Sequence, residues 1–292
     1  MNKFNQLFNQ YDFSIKNKDL SLEVEKALVG RYTENKEKSV YAKLLGLIDV
    51  TSLNTDDTVE KIVSLTQKMN DFDDTFEILP HPAAICVYPN FVPVVKDTLS
   101  ENVEIAAVAG GFPHAQTFIE VKIAEVAMAV MEGATEIDTV IPFNALFSGN
   151  FEETYGEISE IKAACRGAKL KVILETGLIQ DAEMIKKAAI IAMAAGADFI
   201  KTSTGKIACG ATLEAAYVIC DTIKEFNAKN GVKIGFKAAG GISETDDAVK
   251  YYTLVESMLG KEYLSPALFR IGASRLTNNL LTEIEGKEVR YF

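Results

Sequence analysis

Histidine is nearly missing from this 292-residue sequence: His81 and His114 are the only two, each beside a proline. That is too few for a histidine-rich zinc centre, and no Asp/Glu spacing suggests a magnesium site, so no metal is expected. Cysteine is sparse, and Cys86, Cys165, Cys209 and Cys220 form no CxxC pair. Such a pattern suits reduced thiols in a cytoplasmic protein better than a disulfide framework or a zinc cage. Long apolar runs are absent too. The longest nearly apolar stretch, Ala188 to Ala197, falls well short of the roughly 18 residues that span a bilayer. The start, MNKFNQLFNQYDFS, has no continuous apolar core after a basic residue, so no secretory signal is expected. Positive charge is in deficit, with 30 Lys+Arg against 41 Asp+Glu and a net charge of −11. A net negative surface is not attracted to nucleic acid or anionic membranes, although a small anion can still be held locally.

What is present is an alternation. From residue 41 onward, short β-branched runs alternate with longer runs of helical spacing. The expected strands are Leu44–Thr51, Ala83–Tyr88, Glu104–Ala109, Glu136–Ile141, Leu170–Glu175, Asp198–Thr202, Lys233–Ala238 and Phe269–Gly272. Between them lie expected helices such as Thr55–Asn70, Gln116–Glu132, Phe151–Ala168, Asp181–Ala195, Thr212–Asn230 and Glu244–Leu259. Gly133, Gly167, Gly196 and Gly231 stand where helices end, as left-handed C-caps. Length alone suggests about two domains, yet α/β barrels of this size form one. Eight strand–helix repeats fit a closed (β/α)8 barrel, a TIM barrel over residues 41–292, better than an open doubly wound sheet. The open sheet usually carries GxGxxG after its first strand, and no such string occurs. Residues 1–40 form an N-terminal helical extension, with Leu20–Lys36 expected as one amphipathic helix.

Barrel active sites lie at the C-terminal ends of the strands. Four polar residues stand out there: Asp49 in LLGLID, Asp138 in EIDTVIP, Lys201 in DFIKTSTG and Lys237 in KIGFKAAGG. Strand side chains alternate. If Ile137, Ile200 and Phe236 face the helices, then Asp138, Lys201 and Lys237 face the barrel mouth. Burial disfavours an ammonium, and a second ammonium nearby lowers its pKa further from about 10.4, freeing a nucleophilic amine. Such an amine attacks a carbonyl to give an iminium, an electron sink for making or breaking carbon–carbon bonds. A single strand-end lysine could equally snorkel to solvent; two on adjacent strands beside a carboxylate favour a site. Glycine-containing loops follow the last three strands: Gly205-Lys206, Ala239-Gly240-Gly241 and Gly272-Ala273-Ser274. Together they favour a phosphorylated substrate, because glycine lets backbone N–H groups approach phosphate. Both histidines read as loop residues, His114 in GGFPH being the one within reach of a substrate. Cys86 reads as a packed thiol.

These residues resemble a known family. From about residue 43 to 276, LIDVTSLN, AAICVYPNF, EIDTVIPFNAL, KVILETG, GADFIKTSTGK, GFKAAGGI and RIGAS occur in the order found in deoxyribose-phosphate aldolase, a class I (Schiff-base) aldolase on a TIM barrel. The resemblance implies reversible cleavage of 2-deoxy-D-ribose 5-phosphate to D-glyceraldehyde 3-phosphate and acetaldehyde. It implies Lys201 as the Schiff-base lysine, Lys237 as the lysine that lowers its pKa, and Asp138 as proton relay. Asp49, Thr51, Cys86 and Thr204 are then substrate contacts, and Gly205, Lys206, Gly240, Gly241, Ser274 and Arg275 the phosphate cradle. No cofactor or metal is implied. The expected partner is a small sugar phosphate, a homodimer or higher homo-oligomer stays open, and the expected setting is cytoplasmic deoxyribonucleotide catabolism, a form of carbohydrate degradation. Many members carry Pro and Arg where this chain has Ala238 and Ser243, and Arg275 offers a replacement cation where they have a second Ser. The family's C-terminal Tyr that dips into the site has the penultimate Tyr291 as its candidate here. Two other readings stay open. One is another Schiff-base sugar-phosphate barrel of transaldolase-like or ketose-phosphate type. The other is a non-catalytic barrel, against which the Lys201–Lys237–Asp138 set speaks.

Overall fold

In the structure, a computed structural model describing residues 3–292, the alternating pattern resolves into β1 (Ile48–Thr51), β2 (Ala84–Val87), β3 (Glu104–Val108), β4 (Glu136–Val140), β5 (Lys169–Ile173), β6 (Phe199–Lys201), β7 (Gly235–Ala239) and β8 (Phe269–Ala273). All eight are parallel, each pairs with the next, and β8 pairs back onto β1, which closes a (β/α)8 TIM barrel. Outer helices begin where a polar side chain takes up a free N–H of the first turn. Thr58, Asn150, Asp181 and Thr212 accept from the amides of Lys61, Glu153, Met184 and Ala215. Gly133 and Gly231 close their helices in left-handed conformation, φ 117° and 66°. At the expected cap Gly167, the left-handed residue is instead its neighbour Arg166, φ 53°. Among the described residues no helix is long and apolar enough to cross a membrane.

Two expected elements differ. Leu44 and Leu45 belong to the helix Lys38–Leu45 rather than to the first strand, which begins at Ile48. Both leucines are fully buried, and a short apolar run does not by itself tell a buried helix end from a strand. That helix also runs across the expected boundary between residues 40 and 41, from the extension into the barrel. The segment Leu20–Lys36 forms two helices, Asn17–Leu28 and Arg31–Glu34, parted at Gly30, whose φ of 82° no continuous helix accommodates. The N-terminal residues lie along the outer helices. Phe8 meets Phe151 edge-on at 5.3 Å, and Tyr11 stacks on Phe226.

The period of two sorts the strand residues onto two surfaces. Ile48, Val50, Ile85, Ile105, Ile137, Leu170, Val172, Ile200, Phe236, Phe269 and Ile271 join the main core beneath the helices. Inside the barrel, Ala84, Cys86, Ala106 and Val108 form a small apolar cluster of their own with Leu53. Much of the rest of the interior is charged, as described below. Small residues make room for long ones: a Cβ on Gly272 would stand 3.1 Å from Lys237 Cε, and one on Gly235 only 2.3 Å from the Phe199 ring. Gly235→Ala therefore overpacks the barrel floor. It should lower stability by about 1–3 kcal/mol, read as a lower midpoint in urea unfolding with an unchanged slope.

Candidate active site

The strand register delivers the functional side chains. Asp138 pairs with Lys171 across β4 and β5, Lys201 with Lys237 across β6 and β7, and Lys237 with Arg270 across β7 and β8. All of these side chains, with Asp49 and Glu136, are buried inside the barrel. Asp138 is the hub. Its Oδ2 accepts from Lys201 Nζ at 2.7 Å and from Lys237 Nζ at 2.8 Å, and its Oδ1 accepts from Lys171 Nζ at 3.0 Å. Lys237 also donates to Asp49. Beneath this layer Arg270 donates to Asp49 at 2.6 Å and to Glu136 at 2.8 Å, while Lys171 meets Glu136 at 2.5 Å.

Four cations (Lys171, Lys201, Lys237, Arg270) thus face three carboxylates (Asp49, Glu136, Asp138). Burial penalises every one of these charges, and the partners decide which survive. Lys201 is driven below the usual lysine range, by burial first and by the Lys237 ammonium as well, against the pull of Asp138. For Lys237, burial is outweighed by Asp138 and Asp49, so its pKa is raised. Lys171 is raised because Asp138 and Glu136 outweigh its burial and the repulsion of Lys237. Asp138 is held well below the usual carboxylate range, burial being overcome by Lys171, Lys201 and Lys237. Burial raises the Cys86 thiol.

Above the network opens a cavity of about 260 Å³. It brings together Lys201, Thr51, Thr204, Gly205, Lys206, Gly240, Gly241, Ser274 and Arg275, with Ser243 on the same wall. Gly205, Gly240 and Gly241 have φ of 75°, 98° and 81°. Such values fit glycine and leave the loops without side chains there. Arg275 is exposed on the rim, whereas the Lys206 ammonium reaches across to the Leu53 carbonyl. Asp138 and Lys237 lie below the floor. Asp49 and Cys86, expected as substrate contacts, are fully buried and do not line this cavity. A second cavity of about 550 Å³ adjoins across Thr204 and Lys206, and its wall includes His114, Phe143, Phe147 and Glu175. Tyr291 is elsewhere: its hydroxyl donates to the Lys68 carbonyl at 2.8 Å and its ring packs on Phe72 and Phe76. Cationic groups that the motif reading did not single out are Lys171 and Arg270, and the acidic ones are Glu136 and Glu175. A signal existed for the first three, since charges at alternate positions of a strand inside a closed barrel must meet. Among the described residues one trio of close His/Asp/Glu ligand atoms occurs, Asp73, His81 and Glu101. His81 and Glu101 precede β2 and β3, at the opposite end of the barrel.

The model of the DeoC/LacD family of aldolases matches residues 43–259. A provisionally named deoxyribose-phosphate aldolase of Caenorhabditis elegans is 42% identical over 249 residues, covering 84% of this chain and 82% of its own length. Among solved structures, a provisionally named deoxyribose-phosphate aldolase of Toxoplasma gondii shares the fold, with a TM-score of 0.75 at 22% identity over 89% of this chain and 97% of that one. The deoxyribose phosphate aldolase of Aeropyrum pernix, described as having a unique tetrameric structure, gives 0.66 at 25% identity over 91% and 97%. With a family match over well more than half its length and a close relative over most of it, the chain belongs to the DeoC/LacD family of aldolases and is a lyase.

Proposed function

We propose that this aldolase reversibly cleaves 2-deoxy-D-ribose 5-phosphate to D-glyceraldehyde 3-phosphate and acetaldehyde through a Schiff base on Lys201. One observation carries the reading. Of the four cations inside the barrel, Lys201 is the one whose pKa is pushed down and the one that lines the cavity. Its neutral amine adds to the C1 aldehyde of the open-chain sugar. The resulting carbinolamine loses water as its hydroxyl takes a proton, leaving a protonated imine. Asp138, touching both Lys201 and Lys237 through one oxygen, relays that proton from the Lys237 ammonium. The iminium then draws in the electron pair of the C2–C3 bond. The C3 hydroxyl returns a proton through Asp138 to Lys237 and becomes the aldehyde of glyceraldehyde 3-phosphate. The remaining enamine takes that proton at C2, and addition of water to the iminium releases acetaldehyde and free Lys201 and returns a proton to Lys237.

Asp49 serves this scheme from below by holding Lys237, and Cys86 packs beside it. Thr51 and Thr204 meet the sugar. Gly205, Gly240 and Gly241 offer backbone N–H groups to the phosphate, assisted by Lys206, Ser274 and Arg275. Arg275 has no side-chain partner among the described residues, so it is free to turn onto an anion. The same reading takes the chain as a homo-oligomer, as its Aeropyrum pernix relative is described. Phe118, Val121, Met128 and Met131, each more than half exposed along one helix, supply an apolar face for this. The four free cysteines agree with a cytoplasmic setting for deoxyribonucleotide catabolism.

Borohydride reduction in the presence of acetaldehyde or the sugar phosphate, followed by peptide mapping, should place the adduct on Lys201. An adduct elsewhere, or one formed only with dihydroxyacetone phosphate, would sink the scheme. Lys237→Leu removes an ammonium that lowers the Lys201 pKa, so the amine stays protonated to higher pH. The acid limb of the kcat profile should then move upward, with ~10-fold or greater loss at pH 7; an unmoved limb would release Lys237 from its role. Arg275→Ala should raise KM for the sugar phosphate ~10-fold and leave that for unphosphorylated deoxyribose in place.

A further inference from the structure

Glu175 stands outside the network around Asp138, yet its exposure is only 1% and its backbone is left-handed, φ 53°. A non-glycine residue there stores strain, which tends to be kept at functional sites. No lysine or arginine among the described residues ion-pairs with it. Instead both of its oxygens turn to one residue: Oε1 accepts the Thr204 N–H at 3.2 Å and Oε2 accepts the Thr204 hydroxyl. Thr204 Oγ1 in turn accepts the Lys206 N–H at 3.0 Å. Thr204 sits on the wall between the two mouth cavities, three residues after Lys201.

A threonine hydroxyl has one proton and two lone pairs. Here the proton goes to Glu175 and one lone pair to Lys206, so what Thr204 can offer the cavity is a single acceptor. We infer that Glu175 is a specificity-determining positioning residue that fixes Thr204 as an acceptor, so that the sugar hydroxyl meeting it must donate. The same two bonds hold the backbone from which Gly205 and Lys206 project. The inference rests on the aldolase reading, because it takes Thr204 as a contact to a hydroxylated substrate. Its physical content is a polarity. An amide at position 175 would present an NH2 to the Thr204 oxygen, release the hydroxyl proton toward the cavity, and set donor against donor.

The test compares Glu175→Gln, Glu175→Asp and Thr204→Val in two assays: cleavage of 2-deoxyribose 5-phosphate, and borohydride capture of acetaldehyde at Lys201, which involves no sugar hydroxyl. Glu175→Gln should lose ~10-fold or more in kcat/KM for the sugar phosphate, while its capture rate stays within about twofold. Glu175→Asp keeps two acceptor oxygens and should retain more activity than the Gln variant. Because both residues act through one hydroxyl, the Glu175→Gln/Thr204→Val double variant should be no worse than Thr204→Val alone. The inference is overturned if Gln matches the unaltered chain, if Gln outperforms Asp, if the losses multiply, or if acetaldehyde capture falls in parallel with cleavage. Failure of the unaltered chain to capture acetaldehyde would overturn the aldolase reading itself, and this inference with it.

Discussion

One carboxylate shared among three ammonium groups, away from water, is the constraint on which the site depends. Asp138 lies within 3.0 Å of Lys171, Lys201 and Lys237, and the layer beneath exists to make that arrangement tolerable. Lys171 reaches Glu136 and Asp49 as well, Lys237 reaches Asp49, and Arg270 joins Asp49 to Glu136. Lys201 has a single carboxylate neighbour, Asp138. With one more cation than anions in a dry interior, the proton most easily lost belongs to the amine with the fewest anionic partners. That amine is also the one at the mouth. The low pKa of Lys201 is therefore a property of the whole set rather than of one neighbouring lysine.

Such an interior is not the stable choice. TIM barrels commonly fill their centre with branched apolar side chains, and a buried ion cluster often does no better for stability than well-packed hydrocarbon of the same volume. Here charge takes much of that space, and Ala84, Cys86, Ala106 and Val108 form only a small apolar cluster with Leu53. Stability is supplied instead by the outer layer, where the other face of every strand packs against helices. Reactivity and stability thus occupy opposite faces of the same strands, one residue apart in phase.

The loops at the mouth pack closely on one another. A Cβ on Gly210 would fall 2.3 Å from the Gly240 carbonyl, and one on Gly177 would fall 2.2 Å from the Cys209 carbonyl. The loop after β6 is therefore wedged, backbone to backbone, between the loops after β5 and β7. Backbone N–H groups held this way need little reorganisation to meet an anion. Arg275 stands on the rim, while Ser243 lines the same wall without a positive charge.

Much of this is legible in the sequence. Alternating apolar strands and helices specify a parallel sheet covered by helices, eight repeats without GxGxxG favour its closed form, and FIKTSTGK with GFKAAGG marks two lysines on adjacent strands. The period of two even assigns Lys201, Lys237 and Asp138 to the inner surface. Local pattern faltered where a run was too short to discriminate, as at Leu44–Leu45, or where one glycine broke a helix, as at Gly30. Alternation also turns Lys171, Glu136 and Arg270 inward but does not give their pairing, which joins residues more than a hundred apart in the case of Arg270 and Glu136. Which face a charge occupies follows from alternation along one strand, and the sequence by itself determines that. Which charges touch, which amine is left short of a carboxylate, and that Glu175 turns to Thr204 while Tyr291 points away depend on barrel register and loop packing. Only the tertiary structure decides these, because the energies involved arise between residues that no local spacing relates.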